Sequence, residues 1–192
     1  MKLLLATRNA HKLREVGRVL DGIEIDSLGE DVQLPPEDGA TYAANALGKA
    51  RAAARATRRL VVADDSGIEA AALGGRPGVH SARYAGETAG DAENLALLIE
   101  QAPAGSPLAY VCVIALVDGG DGRERLFSGR CAGRMAAAPR GERGFGYDPV
   151  FMPDDVGDGR TMAELSDEHK DAISHRGRAL RRMAEALRPT TG

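Results

Sequence analysis

Five short stretches of this chain bring together side chains whose chemistry goes beyond what packing requires. "VVADDSGIEA", residues 61–70, runs an apolar pair and Ala63 into two adjacent carboxylates, Asp64 and Asp65, followed by Ser66 and Gly67. Adjacent carboxylates repel, and they are costly near a core unless a cation or hydrogen bonds offset the charge. A strand that ends in Asp-Asp-Ser-Gly would aim both acids into a crevice at the sheet edge. Hard oxygens of this kind suit Mg²⁺, which takes one or two carboxylates and keeps several waters. A carboxylate beside such a metal can also accept a proton from an attacking water. The plainer alternative is an acidic turn capping the next element.

The other four stretches supply cations, amides and one scarce aromatic. "TRNAHK" (7–12) joins a strand to a helix. Thr7 and Asn9 are capping residues, the first-turn N–H groups favour an anion, and Lys12 adds positive charge where the helix dipole alone would disfavour it. A phosphate would resolve that mismatch; an ordinary capped helix with a solvated lysine is the alternative. In "EDGATYAANALGK" (37–49), Asn45 and Lys49 share a helical face, and Glu37 sits in the preceding loop within reach of a metal or simply in solvent. "RGFGYDP" (143–149) sets Phe145 between glycines, able to stack on a base or to anchor a turn, and holds Asp148 extended before Pro149. "SDEHKDAISHRGRA" (166–179) places Lys170 and Ser174 one turn apart, with His175 and Arg176 beside Gly177. A glycine inside a helix costs about 1 kcal/mol relative to alanine, which a close contact would explain.

The elements that must carry these residues follow from hydrophobic period and punctuation. The pattern predicts strands at 2–6, 23–28, 60–64 and 108–117, and helices at 10–20, 41–57 (capped by Thr41), 91–102 and about 167–188. "DGGDGR" (118–123) predicts a turn and 124–135 an antiparallel return. Residues 73–87, rich in glycine, form a long irregular segment, a kind that is usually functional or disordered. This mixture predicts an α/β fold with a mixed sheet.

At 192 residues, without repeats or a long linker, the chain reads as a single domain spanning 1–192. Hydrophobic residues are 43% and aromatics only 4%, so Leu, Val, Ile and Ala must build the core. A net charge of -3 gives no general nucleic-acid footprint. The apolar start is too short for a signal peptide, and no run approaches a membrane span. Cys112 and Cys131 belong to no CxxC and read as buried free thiols, in keeping with a cytoplasmic setting.

"TRNAHK", "ADDSG", "PGVHSARYAG", "GFGYDP" and "AELSDEHKDAISHR", in this order, resemble the inosine triphosphate pyrophosphatase family, the house-cleaning purine nucleoside triphosphate pyrophosphatases. The likeness runs from about residue 3 to 187. It implies a long central mixed sheet, two lobes flanking an active-site cleft, a homodimer, and Mg²⁺-dependent hydrolysis of ITP, dITP and XTP to the monophosphate and pyrophosphate. Carried over by residue, the resemblance puts the substrate loop at Thr7, Arg8, Asn9, Ala10, His11 and Lys12. The proton acceptor and metal ligand falls on Asp65, with Ser66 touching substrate, and the second metal-side acid on Glu37. Asn45 and Lys49 face the phosphates; Lys12 and Lys49 join Asp65 in catalysis. Phe145, Gly146, Tyr147 and Asp148 form the base loop, and Lys170, His175 and Arg176 complete the substrate contacts. Departures are Arg8 where glycine is common, His169 where an acid is common, Tyr42 for Phe and Ile68 for Leu.

Phosphoanhydride hydrolysis is mostly positioning and charge neutralisation. In this reading Asp65 orients or deprotonates the water, and Lys12, Lys49 and Lys170 neutralise phosphate charge. Arg176 carries donors only, so it rewards a 6-keto purine over adenine, while rejection of guanine must come from its 2-amino side. A pyrimidine or methylated-nucleotide triphosphate pyrophosphatase and a nucleotide-binding module without turnover are the rivals.

Overall fold

The computed structural model describes residues 2–188. β1 (Lys2–Leu5) is buried from Leu3 onward and pairs in parallel with β2 (Glu24–Ser27) and with β3 (Leu60–Ala70). β4 (Pro107–Asp118) and β5 (Glu124–Met135) are joined by a turn closed by the Asp118 N–H on the Arg123 carbonyl, 2.9 Å. β6 (Phe151–Pro153) runs antiparallel to β5. The six strands form one sheet in the order β2-β1-β3-β4-β5-β6, mixed in direction as the sequence pattern predicts.

Among the described residues five α-helices accompany the sheet: α1 (Ala10–Val19), α2 (Tyr42–Thr57), α3 (Asp91–Gln101), α4 (Asp167–Ile173) and α5 (His175–Leu187). Asn9 caps α1 and Thr41 caps α2 through side-chain oxygens, as their residue types predict. Two expectations need correction. The single helix expected over 167–188 is broken at Ser174, whose extended backbone (ψ 153°) ends α4 before α5 begins at His175. The strand expected to stop at 64 continues to Ala70, so Asp64 and Asp65 lie in mid-strand rather than at a strand end. Ile68 and Ala70, fully buried, carry the apolar alternation past the polar residues.

The described residues divide into two compact units. One takes the chain through Asp65, Cys112–Gly129 and the part from Arg176 on; the other takes Ser66–Val111 and Arg130–His175. In the first unit the sheet is covered on both faces. Leu3, Leu5, Val62, Cys112 and Ile114 pack with Val16 of α1, with Leu20 just after that helix, and with Leu180 and Met183 of α5. Leu4, Ala6, Val61, Ala63 and Ala115 pack with Ala46, Ala50, Ala53 and Ala54 of α2. The alternation of β1 and β3 sorts these residues by parity, because successive side chains on a strand point to opposite faces. The second unit has its own core, with Ile68, Leu98, Tyr110, Cys131, Met135, Phe151 and Leu165 at its centre. Cys112 and Cys131 are buried free thiols, one in each core. No helix among the described residues is long and apolar enough to cross a membrane.

The turn after β4 is wedged against the end of α2. A Cβ on Gly119 would lie 2.7 Å from each of Ala54 O, Arg58 C and Arg59 N, all backbone atoms that cannot rotate away. We expect Gly119→Ala to destabilise the protein by roughly 1–3 kcal/mol, the usual cost of overpacking, read as a lower urea midpoint at unchanged slope.

Candidate active site

The parity of β3 answers how two adjacent acids are tolerated. Asp64 falls on the same face as Val62, toward α1 and α5; Asp65 falls with Val61 and Ala63, toward α2. Their environments differ accordingly. Asp64 is 2% exposed, and its Oδ2 meets Lys12 Nζ at 3.0 Å, Arg176 Nε at 3.2 Å and Arg176 Nη2 at 3.1 Å. Arg176 Nη1 also donates to Glu15. Burial alone would push the Asp64 pKa up, but Lys12, Arg176 and Lys49 reverse that and hold it far below the ordinary carboxylate range. Among the described residues Asp64 Oδ1 is buried with no hydrogen-bond partner, so this side chain has capacity for another donor.

Asp65 is 4% exposed and accepts from Asn45 Nδ2 at 2.9 Å. The Asn45 Oδ1 in turn accepts from Gly39 N at 2.8 Å, which fixes the amide and ties the loop holding Glu37 to α2. Gly39 is needed there, since a Cβ would sit 2.6 Å from that oxygen. Burial pushes the Asp65 pKa up, the Asn45 hydrogen bond pulls it down, and the nearby Glu37 charge pushes it up again; the net shift is upward. Lys49, buried on α2, donates to Glu37 and to the Asp64 carbonyl at 2.6 Å. Burial would depress this ammonium, but Asp64 and Glu37 outweigh it and raise its pKa. One acid is thus locked as an anion among cations, while its neighbour is held with a raised proton affinity.

The rest of "TRNAHK" serves the backbone. Asn9 Oδ1 accepts from the N–H groups of His11 (2.9 Å) and Lys12 (3.2 Å), which the sequence pattern offered to an anion. Thr7 Oγ1 accepts from Asn9 N at 3.2 Å. Arg8 donates to the Val32 carbonyl at 3.0 Å and so clasps the chain near residue 32. Ala10 opens α1, and His11 Nδ1 lies 2.9 Å from Arg14 Nη2.

In the second unit, a different buried carboxylate organises the remaining predicted residues. Asp148 is 3% exposed; its Oδ1 accepts from Tyr110 OH (3.1 Å), and its Oδ2 from Lys170 Nζ (2.6 Å) and Phe145 N (2.9 Å). Lys170 Nζ also sits 4.8 Å from the Phe145 ring centroid. A Cβ on Gly144 would lie 2.0 Å from Asp148 Oδ2, so "GFGYD" needs its first glycine. His175 stacks on Tyr110, centroids 4.6 Å apart and planes within 7°. Tyr147 is buried, its hydroxyl on the Ser81 carbonyl, and Gly146 N–H meets Asp91 Oδ2 at 2.9 Å. Ser66 follows Asp65 on β3 and is half-buried. Sequence reasoning missed Glu15 and Tyr110. Glu15 lies one turn after Lys12 on α1, a spacing that could have marked it; Tyr110 is hidden in an apolar strand.

The hard-oxygen pair Asp65 and Glu37 fits a divalent cation. Burial first, and the Glu37 charge after it, raise the proton affinity of Asp65 against the pull of Asn45, Lys49 and Lys12. Among the described residues no group of three or more His, Cys, Asp or Glu is placed to hold a metal ion. A Mg²⁺ ion, which keeps waters and phosphate oxygens in its shell, suits a two-carboxylate site better than a metal needing a full protein cage.

The chain belongs to the Ham1 family, whose model matches residues 3–186. A protein of Mycobacterium bovis named dITP/XTP pyrophosphatase is 50% identical over 97% of this chain and 95% of its own length. One of the same name from Geobacillus kaustophilus is 44% identical over 100% and 96%. Among solved structures, a HAM1 protein from Coxiella burnetii superposes with TM-score 0.86 at 38% identity, over 97% of this chain and 98% of its own. A nucleoside-triphosphatase, dITP/XTP pyrophosphatase, from Mycobacterium abscessus superposes with TM-score 0.74 at 45% identity, over 98% and 100%. The α/β class expected from the sequence and the family resemblance both hold.

The opposite pKa directions give opposite stability signatures. Asp64, held below its unfolded value of about 3.9, stabilises the fold above that pH and loses its contribution as pH falls. Asp65, held above it, favours the fold while protonated and costs stability as pH rises through its folded pKa. We expect Asp64→Asn to lose about 3–5 kcal/mol at pH 7, because Lys12 and Arg176 are left beside a neutral group. Asp65→Asn should match or exceed the wild-type melting temperature at pH 7 in EDTA, and the difference should close in acid. A fall in stability for Asp65→Asn at pH 7 would contradict the assigned environments.

Proposed function

We infer that this chain is a nucleoside triphosphate pyrophosphatase that hydrolyses non-standard purine nucleoside triphosphates, dITP, XTP and ITP, to the monophosphate and pyrophosphate. One observation carries the reading: β3 presents Asp65, oriented by Asn45 of α2, on one face and Asp64, held as an anion by Lys12 of α1 and Arg176 of α5, on the other. The family membership and the printed names of the relatives support the same class of substrate.

In this reading, Asp65 orients the attacking water and accepts its proton as the α–β anhydride is cleaved. Asn45 keeps the Asp65 carboxylate in one orientation, and Asp65 and Glu37 would hold Mg²⁺. That ion, when bound, neutralises phosphate oxygens and polarises the anhydride. Lys12, Lys49 and Lys170 balance charge on the phosphates and the departing pyrophosphate. Each is already paired with a protein acid, so the phosphates would exchange for carboxylates that hold the ammonium groups in place.

Base selection follows from hydrogen-bond polarity. A 6-keto purine offers an acceptor at O6 and a donor at N1–H; adenine reverses both. Arg176 is a donor only and the Asp148 carboxylate is an acceptor, so the pair suits hypoxanthine and xanthine. Adenine would leave buried groups unpaired, the kind of mismatch that discriminates strongly. Phe145 supplies the face on which a base stacks. The homodimer and the cytoplasmic setting belong to this reading through the family resemblance.

The test is pyrophosphate release, with Mg²⁺ and with EDTA, from ITP, dITP, XTP, GTP, ATP and dTTP. We expect metal-dependent release from the first three and at least an approximately 100-fold loss in Asp65→Asn that remains folded. Release from dTTP instead would mean the base pocket is misassigned, and nucleotide binding without turnover would replace the enzyme by a binding module. Arg176→Ala should narrow the ITP-to-ATP ratio in protein shown to be folded; an unchanged ratio would remove Arg176 from base selection.

A further inference from the structure

The loop that carries Phe145 and Asp148 is not rigid by its own composition. Gly144 and Gly146 both hold positive φ, 76° and 59°, and glycines at such positions sample many alternatives when nothing restrains them. The restraint comes from a part of the second unit to which no role has been given so far. Asp91, the first residue of α3, accepts the Gly146 N–H at 2.9 Å. Tyr147, two residues beyond Phe145, buries its ring and donates its hydroxyl to the Ser81 carbonyl at 2.7 Å. Ser81 is itself fixed, its Oγ accepting from Ile68 N of β3 at 2.9 Å and donating to the Gly78 carbonyl at 2.6 Å.

The same turn of α3 holds the segment that contains Ser81. Asn94, one turn after Asp91 and 2% exposed, accepts from Ala85 N at 2.8 Å and donates to the Ala82 carbonyl at 3.1 Å. Glu93 accepts from Gly90 N at 2.7 Å and fixes the start of the helix. "DAEN" therefore pins the 78–85 segment through Asn94 and the Gly144–Asp148 loop through Asp91. The two pinned pieces are then joined to each other through Ser81 and Tyr147. A carboxylate at the first position of a helix is also favoured by the helix dipole.

We propose that Asp91 and the Ser81–Tyr147 pair are positioning residues for base selection: they set the geometry of Phe145 and Asp148 without touching the nucleotide. This rests on the reading of Phe145–Asp148 as the base-recognition loop. Because the brace acts on that loop and not on Asp65, Lys12 or Lys49, and reaches the phosphates only through Lys170, which Asp148 holds, its loss falls more on substrate affinity and selectivity than on turnover.

The experiment measures kcat and KM for pyrophosphate release from dITP and dATP in wild type, Asp91→Ala, Asp91→Asn, Tyr147→Phe and Asp148→Asn, with melting temperatures for each. Asp91 is exposed, so Asp91→Ala should fold normally. We expect Asp91→Ala to raise KM for dITP by about three- to tenfold, the loss of one solvent-exposed hydrogen bond, with kcat within about twofold and a narrower dITP-to-dATP ratio. Asp91→Asn keeps an acceptor oxygen and should restore most of the KM. Tyr147→Phe should shift KM and selectivity in the same direction as Asp91→Ala. Wild-type KM and selectivity in Asp91→Ala, or equal impairment in Asp91→Asn, would overturn the brace if Asp148→Asn is defective. Should Asp148→Asn be unaffected as well, the base-loop reading fails and the brace falls with it.

Discussion

An ionised carboxylate in the middle of a buried strand must be met by cations, and Asp64 is met by two that come from opposite ends of the chain. Lys12 lies in the first turn of α1 and Arg176 in the first turn of α5, and both reach the same oxygen. Glu15 then balances the second side of the guanidinium. Removing water from such charges is expensive, and the arrangement persists only because every partner is supplied by the tertiary fold. α1 and α5 also pack apolar residues on that same face, so the ionic cluster and the hydrophobic contact locate the two helices together.

Strand parity then does for Asp65 what no local signal could. Turned to the other face, it meets α2, whose alanines let the helix lie close to Val61, Ala63 and Ala115. A helix with larger side chains would stand farther from the sheet and draw Asn45 and Lys49 away from the strand. The composition of α2 and the reach of its polar residues are therefore parts of one solution. Close packing gives the distance, and the distance gives Asn45 its hydrogen bond to Asp65 and Lys49 its contact with the backbone of Asp64.

The second unit follows the same physical rule with different partners. Asp148 is buried beside one ammonium, one phenol and one backbone N–H, and Tyr110 carries the arrangement on to His175 by stacking. In both units buried charged side chains pair with one another at the edge of an apolar core, so each is held in place by its partners.

Much of this was legible in the chain itself. Hydrophobic period and capping residues located most elements, including the Asn9 and Thr41 caps, and the motifs in order pointed to the family. The motifs also named most of the charged residues that the fold gathers into clusters. Asn9 marks where such reading stops: its type fits both a cap and an anion site, and only the structure shows its oxygen on two backbone N–H groups. The length of β3 was not legible either, because polar Asp64, Asp65 and Ser66 look like the end of a strand until their partners are known. Nor was the break at Ser174, since both halves of 167–188 are helical by composition. Local propensity and periodicity are properties of neighbours along the chain, so the sequence by itself determined the elements and the family. Which acid stays ionised, which holds a proton more tightly, and that Glu15 and Tyr110 belong with them depend on contacts between residues up to 161 positions apart, as in Glu15 and Arg176, and only the tertiary structure decided those.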